Sequence, residues 1–344
     1  MSILNTREEI LFLMRGFFAT PIITVLGKSG VIDQMLKGEF RLQDIKSVEN
    51  VEIFEYTIKY LVQIGLLRSG RKSEYYEMTI LGEKILSRYG SFVLLHSYRS
   101  FMDNFDSMLF DKNSQIPKCD RLENVIGSGL TNGRKFFPEA IKMLDCIELG
   151  TIVDIGCGDG YFLSKVIEKF PEVDVVASDL SEIAINQTVL NLNAIDNSLD
   201  ITTILGDAYD VKKWSAELLN KNSDIKEEIV ISIWYVVHEV SQGKTERIIE
   251  FFKEIYKFLP KAQLIIGEIT RVDDKLLSRN RYHSLMPEFQ FFHAISKQGV
   301  LSWEEYQLIL KNIPYSLKAE KLFDPILDDV KVIPTGFIWH LSPK

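Results

Sequence analysis

Cysteine is scarce in this sequence. Its 344 residues include three cysteines, Cys119, Cys146 and Cys157. They are not spaced as metal ligands usually are, and an odd number cannot form a complete disulfide framework. Free thiols persist in reducing compartments. We therefore expect a cytoplasmic protein without structural disulfides.

A long uninterrupted apolar run is also missing. The most apolar N-terminal stretch, residues 10–26, is interrupted by Arg15, Thr20 and Pro21. No small-residue cleavage site follows it, so we expect neither a membrane span nor a signal peptide. With 46% hydrophobic residues, a chain of this length is expected to bury a sizeable core and to form about two domains.

The chain lacks an excess of positive charge. Its 48 acidic residues outnumber 40 lysines and arginines, which gives a net charge of −8. Residues 51–67 show helical periodicity, and the turn and short strand that follow complete a winged-helix pattern. The helix carries Glu52 and Glu55 against Lys59. Because a phosphate-binding surface needs a basic face, we expect no nucleic-acid partner.

The most informative segment is a glycine-rich turn. Residues 153–163 begin as a β-branched run, break into alternate glycines and continue as an amphipathic helix. Asp154, Gly156, Gly158 and Gly160 form the pattern D-x-G-x-G-x-G. Glycines allow positive φ and let the backbone approach a ligand closely. The segment is therefore predicted to be a strand, a binding turn and a helix.

Two further acids follow the next two predicted strands. Asp179 ends the second strand, about 20 residues beyond the turn, where an acid can bind ribose hydroxyls. Asp207 follows the third strand, between Gly206 and Ala208. Each acid alone could be a helix cap or a turn residue. Three strand-end acids in order around one glycine turn favour a nucleoside-type ligand.

This stretch resembles motifs I, post-I and II of the class I S-adenosylmethionine-dependent methyltransferases. The turn differs from the dehydrogenase form G-x-G-x-x-G, so an NAD enzyme is the less favoured reading. The resemblance implies S-adenosylmethionine as the cofactor. The residues it places around the cofactor are Asp154, Gly156, Gly158, Asp179, Leu180, Gly206, Asp207, Ala208 and Ile233.

The strand pattern and the resemblance together predict an α/β fold. We expect a Rossmann-like, seven-stranded methyltransferase domain at residues 146–344, closed by an antiparallel hairpin of residues 317–323 and 335–341. Residues 1–100 should form a mostly helical, winged-helix-like domain. Residues 101–145 are expected to be a helical linker that contributes to the roof of the active site.

The N-terminal region resembles that of small-molecule O-methyltransferases of plant and microbial secondary metabolism. Apolar residues are dense between Met14 and Leu26, and we expect a helix there that is buried on several sides. In those enzymes this domain mediates dimerisation. The resemblance therefore implies a homodimer that acts on a small-molecule substrate.

His238 follows the predicted fourth strand, whose carboxyl end should face the ligand crevice. In the resembling O-methyltransferases, a histidine at this position deprotonates the substrate hydroxyl, and an aspartate follows it. Here the neighbour is Glu239, which we interpret as a base or as the group that orients the imidazole. Tyr235, Arg134 and Arg281 are candidates for binding a substrate carboxylate or enol.

A second histidine, His293, lies in the insertion after the fifth strand. With its flanking residues it resembles the 2-oxo acid C-methyltransferases of the phenylpyruvate and 2-ketoarginine type. That resemblance implies a metal, Fe(II) or Zn, held by His238 and His293, with His283 as a possible substitute ligand. A divalent ion on a 2-oxo acid acidifies the β-carbon and stabilises the enolate that takes the methyl group.

Three function classes therefore remain open. They are metal-assisted C-methylation of a 2-oxo acid, metal-free O-methylation with His238 as general base, and a non-catalytic regulator that senses the cofactor. His293 distinguishes the first from the second, and the acidic helix of the winged-helix pattern argues against the third.

Overall fold

The computed structural model describes residues 6–72, 74–221, 228–280, 284–327 and 332–344. Two compact units are present. One comprises residues 1–105 and 118–131, and the other comprises residues 106–117 and 132–344. The predicted linker 101–145 is thus divided between the units, and helix α8 (Arg121–Lys135) runs through the boundary at residue 131.

The first unit is mainly helical. Its elements before α8 are α1 (Thr6–Lys28), α2 (Val31–Met35), a 3₁₀ helix (Leu42–Asp44), α3 (Val51–Gln63), β1 (Leu67–Ser69), β2 (Tyr76–Met78), α4 (Ile80–Leu86), α5 (Tyr89–His96) and α6 (Arg99–Asp103). α3 begins at Asn50, whose side chain accepts a hydrogen bond from the Ile53 amide. β1 and β2 pair in antiparallel fashion after α3, as the helix, turn and strand pattern indicates.

α1 differs from its expected environment. Pro21 lies inside the helix without ending it. Ile23 and Leu26 are buried, but much of the helix surface is apolar and exposed. The exposed side chains are Phe12, Leu13, Met14, Phe17, Phe18 and Val25, each at least 59% accessible. The prediction of burial on several sides is therefore wrong for a single chain, because only the C-terminal half packs into the unit's core.

By length and composition, α1 also qualifies as a helix that could cross a membrane. That criterion is weak evidence, since a core helix or an N-terminal signal sequence passes it equally well. The interruption of the apolar run by Arg15, Thr20 and Pro21 was the basis for expecting no span. The expectation stays a prediction.

The second unit contains the large sheet. Its elements are α7 (Phe105–Phe110), α9 (Phe137–Leu144), β3 (Thr151–Ile155), α10 (Tyr161–Lys169), β4 (Asp174–Asp179), α11 (Glu182–Asn193), β5 (Ile201–Leu205), α12 (Val211–Lys221), β6 (Ile229–Trp234), α13 (Val237–Ser241), α14 (Thr245–Phe258), β7 (Gln263–Ile269), α15 (Asp274–Arg279), α16 (Met286–Ile295), α17 (Trp303–Asn312), β8 (Tyr315–Phe323), β9 (Ile326–Leu327), β10 (Val332–Ile333) and β11 (Gly336–Pro343).

Within the described ranges, seven strands form one sheet in the order β5-β4-β3-β6-β7-β11-β8. The five strands from β5 to β7 are parallel, whereas β11 is antiparallel to both β7 and β8. The predicted closing hairpin is thereby confirmed, as is the α/β class with a seven-stranded sheet.

Alternate residues of the central strands point to opposite faces of the sheet, and both faces are covered. Val153 and Ile155 pack into one hydrophobic cluster, which includes Phe251 and Trp339. Ile152 packs into the other, where α9 and α10 lie. Because both faces are buried, polar groups that matter for function must lie at the strand ends, and β3, β4, β6 and β7 bring four such ends side by side.

Candidate active site

The glycine turn lies at the carboxyl end of β3. Gly156, Gly158 and Gly160 have φ of 76°, 61° and 75°, a region that L side chains rarely adopt. A Cβ at Gly156 would also stand 2.3 Å from Val236 Cγ2. The turn before α10 therefore requires glycine both for its backbone conformation and for its close packing against Val236.

Asp179, at the end of β4, is fixed onto this turn. One carboxylate oxygen accepts a hydrogen bond from the Gly158 amide at 3.1 Å, and the other accepts from the Ser181 amide at 2.8 Å. The residue is 2% exposed, whereas the neighbouring Leu180 is 70% exposed. Both predicted cofactor residues thus lie at the mouth of the turn, one rigid and buried, the other on the surface.

Asp154 is the buried acid of the turn. Its Oδ1 accepts a hydrogen bond from Ser232 Oγ at 2.6 Å, and within the described chain its Oδ2 has no partner. Burial, together with the nearby carboxylates of Asp179 and Asp159, raises the pKa of Asp154 to about 7. A buried carboxylate oxygen without a partner is costly. A cationic ligand group would satisfy it, so the turn fits a cofactor with a positively charged end.

The remaining predicted cofactor residues lie along the same edge. Asp207 is exposed after β5, and its Oδ1 accepts from the Tyr209 amide at 2.9 Å, which closes a turn. Gly206 and Ala208 flank it. Ile233 in β6 is 0% exposed and its side chain packs into the core, so only its backbone can face a ligand.

His238 forms a buried pair with Glu268. It lies on α13, just after β6, and Glu268 lies near the end of the adjacent strand β7. His238 Nδ1 is 3.0 Å from Glu268 Oε1, and the His238 amide donates to Glu268 Oε2 at 3.1 Å. Exposure is 3% for His238 and 0% for Glu268. Burial by itself lowers the pKa of His238, but the charge and hydrogen bond of Glu268 outweigh it, and the pKa is raised.

Glu268, and not Glu239, is the carboxylate that orients the imidazole. Glu239 is exposed, and its Oε1 accepts a hydrogen bond from Gln298 at 3.5 Å. The physical reason is that successive residues of a helix point in different directions, so the neighbour of His238 cannot reach the same ring. Sequence reasoning missed Glu268, although a lone acid inside the apolar strand 263–269 was a usable signal.

His293 faces His238 from α16. The two ring centroids are 5.1 Å apart at an interplanar angle of 70°. His293 Nδ1 donates to the Phe289 carbonyl at 2.7 Å, and the ring stacks on Phe289 at 3.6 Å. Burial, with a contribution from His238, lowers the pKa of His293 to about 3. The unfolded chain takes up this proton near pH 6.5, so the stability that depends on neutral His293 is lost as the pH falls from about 6.5 towards 3.

The two imidazoles fit a metal ion in part. With both Nδ1 atoms anchored to acceptors, both Nε2 lone pairs are left for a ligand, as in protein-bound metal sites. Across the described ranges, however, no group of three or more His, Cys, Asp or Glu side chains is placed to hold an ion. The chain therefore offers two nitrogen ligands here, and substrate or water oxygens would have to supply the others.

Tyr235 follows β6 in an unusual conformation. Its φ is 57°, and its amide donates to the Gly267 carbonyl at 3.0 Å. A non-glycine residue with positive φ is held there by its surroundings and is frequent at functional sites. Burial and the charge of Glu268 raise the pKa of the Tyr235 hydroxyl, which keeps it protonated. Tyr235 thus belongs to the same strand-end cluster as His238.

The other sequence candidates are not brought into this cluster. Arg134 is exposed near the end of α8. Arg281 and His283 lie outside the described residues. Two further histidines have structural partners elsewhere: His340 pairs with Gln263 at 2.8 Å in the last strand, and His96 bonds Glu123 in the first unit.

A cavity of about 750 Å³ adjoins the imidazole pair through His293. It lies between α15, α16 and the segment after α16, and its size is typical of small-molecule pockets. Its lining is Gly243, Arg271, Asp274, Leu277, Ser278, Pro287, Gln290, Phe291, His293, Ala294, Gln298, Gly299 and Val300.

Comparisons with known proteins agree with this geometry. The family model of the methyltransferase small domain matches residues 129–238. This part of the chain is therefore similar to a methyltransferase domain. The match covers the glycine turn, all three strand-end acids and His238. A search of curated proteins gave no match to the sequence.

Solved structures share the fold over nearly the whole chain. An O-methyltransferase family protein from Burkholderia thailandensis is 11% identical, with a TM-score of 0.61 and 99% of each chain covered. Human N-acetylserotonin methyltransferase, solved with S-adenosylmethionine, is 13% identical with a TM-score of 0.59, and the alignment covers 100% of this chain and 99% of that chain. The mitomycin 7-O-methyltransferase structure is 11% identical, with a TM-score of 0.54 and 98% of each chain covered. At these identities the likeness establishes the O-methyltransferase-type fold.

The role of Glu268 predicts a specific titration behaviour. Because Glu268 raises the pKa of His238, the variant Glu268→Gln should lower that pKa and move the His238 titration to lower pH. NMR titration of the His238 ring measures this directly. Glu239→Gln is the matched control, since that carboxylate is exposed and bonds Gln298, and it should shift the titration less. A larger shift in Glu239→Gln would contradict the assignment.

Proposed function

We propose that the methyltransferase domain is catalytically active and transfers a methyl group from S-adenosylmethionine to a small-molecule acceptor. The observation that carries the proposal is the unpartnered Asp154 Oδ2 under an open glycine turn, beside a buried His238 that is oriented by Glu268. The carboxyl end of β3 is thus suited to a cationic cofactor, and a candidate base follows the adjacent strand β6.

In this proposal each residue has a distinct task. Asp179 holds the ribose hydroxyls, and Asp154 pairs with the positively charged amino group of the cofactor. The cofactor supplies an electrophilic sulfonium methyl group. His238 Nε2 has one lone pair, which would accept a proton from the acceptor molecule where no metal is bound and would bind the metal where one is, and Glu268 orients the ring in both cases.

Cofactor binding tests the proposal first. Asp179→Ala should weaken binding of S-adenosylhomocysteine by about 1–3 kcal/mol, because the ribose hydroxyls lose a charge-assisted partner. Calorimetry on the full chain gives the affinity. Asp196→Ala, which removes an exposed turn carboxylate bonded to Ser198, is the control and should bind normally. Equal affinity in wild type and Asp179→Ala would remove Asp179 from the site, and no binding to the wild type would reject the function.

For the acceptor, we favour a 2-oxo acid that is methylated at its β-carbon with the help of a divalent metal. The supporting observation is the second imidazole. General-base catalysis would require only His238, yet the His293 ring lies 5.1 Å from the His238 ring. The low pKa of His293 keeps its imidazole neutral, and a neutral imidazole is the form that binds a metal. His238 and His293 would hold the ion, which would polarise the keto oxygen and make the β-proton more acidic. Because His238 Nε2 would then be a metal ligand, the β-proton would pass to a water molecule.

Metal-free O-methylation is the second candidate, and the His238–Glu268 pair favours it. That pair is complete as a general base without His293. The names of the structural neighbours also point this way, since the mitomycin enzyme is a 7-O-methyltransferase. Another neighbour is described as an amino-demethyl-riboflavin dimethyltransferase, so the fold also serves acceptors that carry an amino group.

Two histidine variants separate the candidates. If both imidazoles hold a metal, His238→Ala and His293→Ala should each lose the bound metal and methyl transfer to a 2-oxo acid, since one protein ligand is too few to retain the ion. Elemental analysis and turnover are measured on protein purified without chelator. S-adenosylhomocysteine binding should survive in both variants.

His340→Gln serves as the control, because this buried histidine pairs with Gln263 away from the cluster. Near-normal turnover in His293→Ala, with only His238→Ala inactive, would exclude the metal and leave O-methylation.

We also propose that the chain forms a homodimer through α1. Six large apolar side chains of this helix are each at least 59% exposed, and clustered exposed apolar residues mark interaction sites. A second copy of the same helix would cover it in a two-fold arrangement. Burial of α1 in a dimer is consistent with the expectation of a cytoplasmic protein without a membrane span.

Charge placed on this face should break the dimer. Phe17, 78% exposed on α1, is changed to Asp, and the molar mass is measured by light scattering after size exclusion. We expect the wild type at twice the chain mass and Phe17→Asp at the monomer mass or aggregated. Phe110→Asp is the control, since Phe110 is 84% exposed on α7 and should leave the dimer intact. A monomeric wild type, or recovery in the membrane fraction, would contradict the proposal.

A further inference from the structure

The backbone segments that carry the two imidazoles meet at a pair of glycines. α13 carries His238 and is followed by Gly243, and the chain after α16, which carries His293, returns through Gly299. A Cβ at Gly299 would stand 1.7 Å from the Gly243 amide nitrogen. A glycine at position 299 is therefore required for the backbones to approach so closely, whereas Gly243 is favoured by its φ of 75°.

One buried side chain joins these segments. Ser241, the last residue of α13, is 0% exposed. Its hydroxyl oxygen is 2.6 Å from the Gly299 carbonyl and 2.8 Å from the His238 carbonyl, and it accepts a hydrogen bond from the Gly243 amide at 3.0 Å. A hydroxyl has a single proton, and the shorter of the two distances assigns it to the Gly299 carbonyl, so Ser241 links α13 to the segment after α16.

The segment after α16 is itself hydrogen-bonded to His293. Lys297 has φ of 59°, which turns the chain back, and the Gln298 amide donates to the His293 carbonyl at 2.9 Å. The His293 ring is fixed within its own helix by Phe289. The separation of the two rings therefore depends on how α16 is held relative to α13, and not on the rotamer of His293 alone.

A second link between the segments is weaker. Gln298 donates to Glu239 at 3.5 Å, a long and exposed contact. Because exposed hydrogen bonds compete with water, they fix geometry less well than buried ones. Of the hydrogen bonds between α13 and residues 297–300 in the described chain, the one from Ser241 is the better protected.

We propose that Ser241 is a positioning residue that sets the spacing of His238 and His293 by holding α13 to Gly299. Its catalytic consequence rests on the proposed methyl transfer. Its structural consequence does not, since the contact can be observed without any substrate.

Two variants disturb the contact in different ways. Ser241→Ala removes the hydroxyl, and Gly299→Ala keeps it but adds a methyl group where only 1.7 Å is available. Both should increase hydrogen exchange in residues 241–244 and 296–301 while the amides of β3 and β6 stay protected. Both should lower kcat roughly 10- to 100-fold, the scale expected for a misplacement of about 1 Å. The affinity for S-adenosylhomocysteine should stay unchanged.

Ser215→Ala is the matched control. Ser215 is 1% exposed and its hydroxyl donates to the Lys212 carbonyl within α12, so the variant loses a buried hydroxyl of equal size with no link between segments. It should change neither local exchange nor kcat. Unchanged exchange in both Ser241→Ala and Gly299→Ala would overturn the proposal, as would a rise in exchange throughout the sheet or an equal loss of kcat in Ser215→Ala. Absence of any methyl transfer in the wild type would reject the function but leave the exchange result to decide the role of Ser241.

Discussion

The buried hydrogen bond between His238 and Glu268 is the interaction on which the site depends. It joins the ends of two adjacent parallel strands through side chains that are both out of water. A buried carboxylate is costly unless its oxygens have partners, and Glu268 obtains them from the His238 ring, the His238 amide and the Ile269 amide. The same contacts that stabilise the acid also fix the imidazole, so the ring is oriented before any ligand arrives.

At the proposed cofactor side of the site, the two buried acids differ in whether their carboxylate oxygens have hydrogen-bond partners. Asp179 has its oxygens satisfied by backbone amides and serves as a rigid acceptor at the turn. Asp154 keeps one oxygen unsatisfied, and its pKa of about 7 shows how unfavourable its charge is without a partner. The two acids, 25 residues apart in the chain, thus differ: both oxygens of Asp179 accept hydrogen bonds, whereas one oxygen of Asp154 could still accept one from a cationic group. We infer that cofactor binding stabilises the folded unit by satisfying Asp154.

Much of the sheet and of the cofactor turn could be predicted from the sequence, because their signals are local. The glycine pattern, the β-branched runs and the acids at strand ends each depend on neighbouring residues, and the final hairpin appears as two alternating segments with no helix between them. The pairing of His238 with Glu268 could not be predicted, because the two residues are 30 positions apart in the chain and meet only through the register of β6 beside β7. Proximity in sequence suggested Glu239 instead, which the helix turns towards Gln298.

The environment of α1 was also beyond local reasoning. Its apolar density predicted burial, but which surface buries it depends on what lies outside the single chain. His293 shows the intermediate case. Its position in the insertion suggested a role near His238, and the structure places the rings 5.1 Å apart. The burial that keeps His293 neutral depends on how α16 packs, which the sequence does not show.

The central claim is that both imidazoles are held with Nδ1 protonated and Nε2 lone pairs left for a ligand. Nitrogen-15 NMR of the ligand-free protein reports the tautomer of each ring, with His238→Gln and His293→Gln spectra to assign the signals. At a pH above the titration of His238, we predict that both rings carry the proton on Nδ1, donated to Glu268 and to the Phe289 carbonyl. Protons on Nε2 in either ring, or the rapid tautomer exchange of an unanchored imidazole, would contradict this account.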